Sequence, residues 1–446
     1  MLSTIIFWGL CAVLVLIPLP SGGDVPWAVF AFEGAVFALA VLHVLDRNVA
    51  SKARFPFILK FFVGVFLAVT ALQLIPLPPA VLKALSPRTA SLYHDMGAGG
   101  WRSLSLAPAL SFSELVHFLS YGVFAFLVYR HVRTRRRLET FTLTLLAVGV
   151  FESFYGLAEL FVGSRGIFGF RGDFHLGWAT GTFLNHDHFA GLLEMLFALA
   201  LGYLLANADR ERGLREKILW FAHKRLQRAL LCGIVAVVIG LGIVFSRSRS
   251  GIFIFFVTIV LAAAAASADG QARRFARILW TVAVMVVFAA VAVGVKPVFE
   301  RFTKESMNMA RDLRFGIYAN TLKYIRAFPA GTGLRTFAQV YPMFETRYEP
   351  DLLDHAHNDY LEVLAESGAV GGGALILFAA TGVGWVFLRW LRTRDPLARG
   401  IALGALLGVV ALLLHSFTYF NLRNPANAVY FVALFALAAG AVEVRE

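Results

Sequence analysis

The sequence predicts an all-α membrane protein with about twelve transmembrane helices and one large loop of short helices between the ninth and tenth of them. Two observations predict this class. Hydrophobic residues make up 59% of the 446 residues and charged residues only 15%, and the mean hydropathy of +0.71 is typical of membrane proteins. Long apolar stretches also recur along the whole sequence, so we treat residues 1–446 as a single transmembrane domain.

A helix needs roughly 20 apolar residues to cross a bilayer, or fewer where flanking side chains reach the headgroups. The first apolar stretch has no basic residues before it, so it is expected to be a span and not a cleaved signal peptide. The predicted spans are residues 3–20, 25–45, 56–77, 112–130, 139–162, 183–206, 229–246, 250–267, 276–295, 369–390, 398–418 and 427–443.

Alternate connections between the spans carry the basic residues, as cytoplasmic loops do. With both termini in the cytoplasm, these connections are residues 46–54, 130–137, 209–217 with 223–228, 270–274 and 392–399. One short outer turn, residues 246–250, departs from the pattern because it contains Arg247 and Arg249. This departure indicates a functional reason for two arginines on the outer side.

The net charge of +13 does not indicate nucleic-acid binding. The basic residues form short clusters between apolar spans, where they would face the anionic membrane lipids of the cytoplasmic leaflet. The two cysteines, Cys11 and Cys232, both lie in apolar stretches. They therefore supply neither a disulfide framework nor a thiolate metal site.

Residues 296–368 form the only sizeable polar region and are predicted to be a large outer loop. Apolar residues at helical spacing predict an amphipathic helix over 311–328, which Pro329 and the glycines of residues 331–333 would end. A second short helix is predicted from Asn358, a good N-cap residue, towards Gly368.

The segment from His355 to Tyr360 within this loop permits three interpretations. His357 precedes a helix start, where the helix dipole disfavours the charged ring and keeps it neutral as a base. Alternatively, His355, His357 and Asp359 could hold a divalent metal, because alternate side chains of an extended segment face one way. The histidines could also simply cap and hydrogen-bond the helix end.

Arg247 and Arg249 precede a helix, and positive charge is disfavoured at a helix N-terminus unless an anion is bound there. Guanidinium groups bind phosphate oxygens bidentately, so the turn is a candidate phosphate site. Arg314 and Arg335 in the large loop could converge on the same anion. The alternatives are that the arginines of the turn reach lipid headgroups, and that those of the loop lie on a solvated helix face.

Most histidines fall on the predicted outer side, and polar groups at the ends of spans mark a site by default. Residues 185–188 open the sixth span with Asn185, Asp187 and two histidines, and His415 ends the eleventh. The histidines on this side are His94, His175, His186, His188, His355, His357 and His415.

Several motifs in order along residues 180–420 resemble those of the O-antigen ligase and O-antigen polymerase superfamily. They are residues 181–191, which include Asn185 and His188, then Ser248 to Gly251, Arg314, residues 331–333, and His357 to Leu361 with Gly368. The twelve-span topology with a late outer loop matches as well. The family's second asparagine in the first motif is replaced here by Asp187.

The resemblance implies a metal-independent, inverting glycosyltransferase of the bacterial inner membrane. Such enzymes transfer a glycan from undecaprenyl diphosphate to an acceptor hydroxyl on the periplasmic face, without a cofactor. The resemblance implies that His357 is the base and that Arg249 and Arg314 stabilise the diphosphate leaving group. The remaining candidates, which would bind substrate, are Arg247, Asn185, His188, Arg335, His355, Asn358 and His415.

The acceptor distinguishes the branches of this family. Lipid A core as acceptor makes the enzyme an O-antigen ligase, which we favour; a second lipid-linked repeat unit makes it a polymerase; and a third branch uses protein hydroxyls. A transporter is the alternative of another class. Transporters place their charged site near the midplane and show two similar halves, whereas here the polar residues gather on one side and no repeat is visible.

Overall fold

The computed structural model describes residues 1–46, 55–162, 177–207, 224–267, 272–294, 296, 303–346 and 353–444. Within these ranges the chain forms α-helices and short 3₁₀ turns, and no strand. The helices are α1 Leu2–Leu16, α2 Pro26–Leu45, α3 Phe57–Leu74, α4 Pro79–Leu85, α5 Pro87–Asp95, α6 Pro108–His131, α7 Arg135–Val162, α8 His186–Asn207, α9 Lys224–Phe245, α10 Arg249–Ser267, α11 Ala272–Val293, α12 Lys304–Ala327, α13 Phe337–Val340, α14 Asp359–Trp390, α15 Pro396–His415 and α16 Pro425–Ala441.

Each predicted span coincides with one apolar helix, so the predicted all-α membrane fold is confirmed. In the part of the chain that the structure describes, eight helices are long and apolar enough to cross a membrane. Shorter apolar helices occupy the other predicted spans: Leu2–Leu16, Leu230–Phe245, Ile278–Ala292 and Pro425–Ala441. Much of the basic connections at 46–54, 209–217 and 270–274 lies outside the described residues.

The first helix ends earlier than predicted, at Leu16. The sequence continues with Pro18 and Pro20, which have no amide hydrogen to donate within a helix. A 3₁₀ turn, Ser21–Gly23, then leads into α2. The correction shortens the predicted span of residues 3–20.

Helix α8 lies at the centre of the bundle, where it packs against α7, α9, α10, α15 and α16. Glycines let its backbone approach that of α15 closely. A Cβ atom on Gly202 would lie 2.4 Å from the carbonyl oxygen of Gly400, and one on Gly408 would lie 2.7 Å from that of Met195. Apolar lipid removes the hydrophobic driving force for helix association, so helices in a bilayer associate through close packing, which small residues permit. This contact fixes the ends of α8 and α15 relative to each other.

The large loop folds around its own apolar core at one end of the bundle. Helix α12 begins at Lys304, earlier than the predicted 311, and ends at Ala327 as expected. Its inner face packs on the short helix that follows it. The core residues are Ile317, Tyr324, Phe328, Phe337, Val340, Tyr341, Ala356 and Ala365.

The predicted helix after Asn358 and the tenth span form one continuous element, α14, with a break at Gly368. Gly368 has φ +72° and ψ 175°, a conformation that residues with a side chain avoid. A Cβ atom there would also lie 2.6 Å from the backbone of Ala330. The break therefore turns the chain from the loop helix into the span, at the position that the sequence predicts.

The segment before α6, which contains α4 and α5, packs against the large loop. The amide of Leu106 donates to the carbonyl of Thr332 at 2.9 Å, and the Ser111 hydroxyl donates to the carbonyl of Leu334 at 2.9 Å. The two polar segments thus form one cap where α3 ends and α6 begins.

Candidate active site

His357 lies in a short segment, residues 355–358, that leads into α14 and is named the hook. Several hydrogen bonds fasten this hook to the bundle. The side chain of Asn358 caps α14 by accepting from the amides of Tyr360 and Leu361 and donates to the carbonyl of Phe417 at 2.9 Å. The amide of Asp359 donates to the carbonyl of Ser416. His357 itself has φ +50°. The hook therefore rests on the turn that follows α15.

The imidazole of His357 packs against the stacked rings of Tyr419 and Phe420. Its centroid lies 5.3 Å from that of Tyr419 and 5.1 Å from that of Phe420. Its Nδ1 atom is buried and has no hydrogen-bond partner among the described residues. Burial, with the positive charge of Arg314, lowers the pKa of His357 to about 4. At neutral pH this ring is uncharged and can accept a proton.

His355 has different partners, and its pKa is shifted in the opposite direction. Its Nδ1 lies 2.9 Å from Oε1 of Glu362, and its ring stacks on Phe420 at 4.1 Å. Burial alone would lower the pKa of His355, but the Glu362 carboxylate raises it above its ordinary value. His355 therefore belongs to an ion-pair network, and its Nδ1 is occupied.

The proposed metal set of His355, His357 and Asp359 requires side chains that face one way. Two of these side chains instead have partners in the protein: His355 hydrogen-bonds Glu362, and Asp359 accepts from the Ser416 hydroxyl at 2.7 Å. The positive φ of His357 interrupts the extended backbone on which the expectation depended. Within the described ranges no group of three or more His, Cys, Asp or Glu residues is arranged to hold a metal ion.

Arg314 lies on α12 next to this hook. Its charge acts on His357 and also on Asp187, the second residue of α8. The large loop and the central helix therefore meet around the same guanidinium group.

The turn that contains Arg247 and Arg249 contacts α8 and the turn after α15 through its serines. The Ser248 hydroxyl hydrogen-bonds the carboxylate of Asp187 and accepts from the amide of Gly251 at 3.1 Å, which caps α10. The Ser250 hydroxyl lies 2.9 Å from that of Thr418. Arg249, the first residue of α10, stands between these two serines, and Arg247 has φ +57° in the turn. Both arginines thus lie at the end of the bundle that holds His357.

Three further candidates lie beneath the hook, in contact with the turn after α15 or with α8. The side-chain nitrogen of Asn185 donates to the Tyr419 hydroxyl at 2.5 Å. His188 is buried with Nδ1 3.2 Å from Oδ1 of Asn421. His415 is fully buried, with Nδ1 3.0 Å from a carboxylate oxygen of Glu194.

Sequence reasoning missed the cluster around Arg423, in the 3₁₀ turn Asn421–Arg423. The three nitrogens of this guanidinium contact three carboxylates: Nε lies 3.0 Å from Glu362, Nη2 2.5 Å from Glu366 and Nη1 3.4 Å from Glu114. Burial opposes its charge, yet these carboxylates raise the pKa of Arg423 above its ordinary value. The partners lie far apart in the sequence, and no local motif indicates them.

Arg335 belongs to this second cluster. Its charge acts on Glu114, and its backbone, at φ +60°, hydrogen-bonds the carboxylate of Glu366. Of the two loop arginines, the structure brings Arg314 to His357 and Arg335 to the Arg423 cluster.

Two histidines of the outer set have other surroundings. His94 is 91% exposed on α5, and His186 packs against Trp178 at 4.1 Å. His175 lies outside the described residues.

Replacing Arg423 with alanine is expected to destabilise the protein by about 3 to 5 kcal/mol, because three buried carboxylates lose their common partner. Arg135→Ala is the matched control. Arg135 pairs with Asp395 at 2.6 Å but is 64% exposed, so its loss is expected to cost less than about 1 kcal/mol. Denaturant unfolding of both variants in detergent measures the difference. Equal losses would contradict the role assigned to the Arg423 cluster.

The fold and the site together define a multi-pass membrane protein with a neutral histidine and several arginines gathered at one end of its helix bundle. Residues 234–376 match the family model described as O-antigen ligase. The match supports a relationship to the O-antigen ligase and polymerase superfamily, whose members are glycosyltransferase-like enzymes that use lipid-linked glycans. No curated protein matches the chain.

The matched region contains both arginines of the turn, both loop arginines and the histidine hook. Asn185, His188 and His415 lie outside it but inside the wider region, 180–420, in which the motifs were found. The apolar helices and the family together indicate a multi-pass protein of the inner membrane.

Proposed function

We propose that the protein is an O-antigen ligase that transfers a glycan from undecaprenyl diphosphate to a hydroxyl group of lipid A core at the periplasmic end of the bundle. One observation carries the proposal: the uncharged imidazole of His357, with its free Nδ1, lies beside Arg314 at the end that also bears Arg249. A base next to fixed positive charge suits a reaction that removes a proton and releases an anionic diphosphate.

In the proposed reaction, the acceptor hydroxyl attacks the anomeric carbon of the sugar while the bond from that carbon to the diphosphate oxygen breaks. His357 takes the hydroxyl proton on Nδ1. Arg249 and Arg314 neutralise the charge that grows on the departing diphosphate. Because attack comes from the face opposite the leaving group, the anomeric configuration inverts. The reaction needs neither a nucleotide sugar nor a metal ion.

The other candidates bind the diphosphate or hold the elements of the site in place. Arg247 supplies a second guanidinium group in the turn that receives the diphosphate. Asn358 and His355 hold the hook that bears His357. Asn185, His188 and His415 shape the turn beneath it, and Arg335 belongs to the cluster that anchors the large loop.

Deletion of the gene is expected to leave lipid-linked polymer in the membrane, because a ligase acts after the chain has been assembled. Mass spectrometry of extracted undecaprenyl diphosphate glycans measures the chain length. Single repeat units in place of polymer would show that the protein is a polymerase, with a second lipid-linked unit as the acceptor. Unchanged lipid-linked glycans would exclude both activities.

A further inference from the structure

The Tyr318 hydroxyl stands at the junction of three elements next to the candidate base. Its single proton is shared between the carbonyl oxygens of His357, at 3.0 Å, and Phe417, at 3.2 Å. Burial raises the pKa of Tyr318, so the hydroxyl stays protonated and remains a donor. It therefore joins α12 to both the hook and the turn after α15.

The backbone of His357 needs such a restraint. A left-handed conformation with φ +50° is disfavoured for any residue that has a Cβ atom and persists only where its surroundings impose it. The hydrogen bonds of Asn358 and Asp359 fix the chain after His357. Among the described residues, the bond from Tyr318 holds the carbonyl of His357 itself.

The position of Tyr318 on α12 gives this bond a second consequence. Arg314 precedes Tyr318 by one helical turn, so both side chains project from the same side of the helix. A helix anchored to His357 through Tyr318 therefore carries Arg314 at a fixed separation from the imidazole. Both interactions with His357 come from one rigid element.

We propose that Tyr318 is a positioning residue whose hydroxyl holds His357 in its strained conformation and sets the distance between the imidazole and Arg314. The proposal rests on the proposed function, because it concerns the base of that reaction. Tyr318 contacts the backbone of the base and does not itself take part in the chemistry.

Loss of the hydroxyl allows His357 to relax towards an ordinary φ, which moves the ring out of its buried place. Four charged or titratable groups act on this ring: Arg314 on α12, His355 and Glu362 on its own segment, and Asp187 on α8. Burial and Arg314 are the two largest causes of the lowered pKa of His357. A displaced ring loses both, so its pKa rises towards the ordinary value.

The test compares Tyr318→Phe with Tyr360→Phe in purified full-length protein. Tyr360 is a matched control because its hydroxyl also donates to a backbone carbonyl, that of Leu413, at 2.7 Å, on the other side of the hook. In Tyr318→Phe, kcat is expected to fall about tenfold with little change in KM for the lipid-linked donor. The acid limb of its pH–rate profile is expected to move to higher pH. In Tyr360→Phe, kcat and KM are expected to stay within about twofold of wild type, and the acid limb is expected to stay in place.

The outcomes separate this proposal from the proposed function. If His357→Ala is inactive but Tyr318→Phe keeps the wild-type rate and pH profile, the positioning role is wrong and the function stands. The positioning role is also wrong if both tyrosine variants lose the same share of the rate and the acid limb stays unchanged, since that result indicates a general structural effect. If wild type transfers no glycan, or His357→Ala retains full activity, the proposed function itself fails.

Discussion

Replacing His357 with alanine is expected to lower the rate of glycan transfer by about 10²- to 10⁴-fold, the usual contribution of a general base. The variant removes the neutral imidazole whose Nδ1 is available at the site. Because Asn358 and Asp359 keep the hook in place through their own hydrogen bonds, the protein is expected to insert and fold. Initial rates of transfer, normalised to folded protein, measure the effect.

His94→Ala is the control for this variant. His94 belongs to the same cap, is 91% exposed and lies 3.7 Å from Asp95, so its removal is expected to leave the rate unchanged. Wild-type turnover in His357→Ala would remove His357 from the mechanism. A loss of similar size in both variants would indicate that the assay responds to histidines of the cap in general.

Replacing Arg249 with alanine is expected to reduce the transfer rate by about 10²- to 10³-fold, as removal of a preorganised group that stabilises developing charge does. The neighbouring serines hold the turn through Asp187 and Thr418, and the substitution leaves them in place. Arg249→Lys is expected to recover part of the rate, because an ammonium group keeps the charge but loses the fork that binds two phosphate oxygens. Steady-state kinetics with a lipid diphosphate donor measure both variants.

Arg102→Ala provides the comparison for Arg249. Arg102 is exposed on the cap and lies over the ring of Tyr93, where it adds to the surface charge without reaching the turn. Its loss is expected to leave the rate unchanged. Full activity in Arg249→Ala would mean that the arginines of the turn serve only to contact lipid headgroups.

The helical framework was predictable because the bilayer imposes simple rules on length and composition. Apolar stretches located the helices within a few residues, and the errors fell where prolines end α1 or where polar residues extend α12. The N-cap residue of α14 and the break within this helix were equally predictable, since Asn358 and Gly368 are local signals.

The polar network could not be predicted in the same way. Arg423 meets Glu114 and Glu366 only because α6, α14 and the turn after α15 converge in three dimensions. For the same reason the sequence left open which loop arginine lies near His357. The structure separates Arg314 from Arg335 through the packing of α12, which no spacing of residues encodes.

Reconstitution tests the central claim most directly. Purified protein in liposomes, with undecaprenyl diphosphate glycan as donor, lipid A core as acceptor and excess EDTA, is assayed for glycosylated acceptor and released undecaprenyl diphosphate. The account predicts that wild type forms both products in equal amounts with or without EDTA and that His357→Ala forms neither. Transfer by His357→Ala at the wild-type rate, or wild-type transfer that EDTA abolishes and a divalent ion restores, would contradict it.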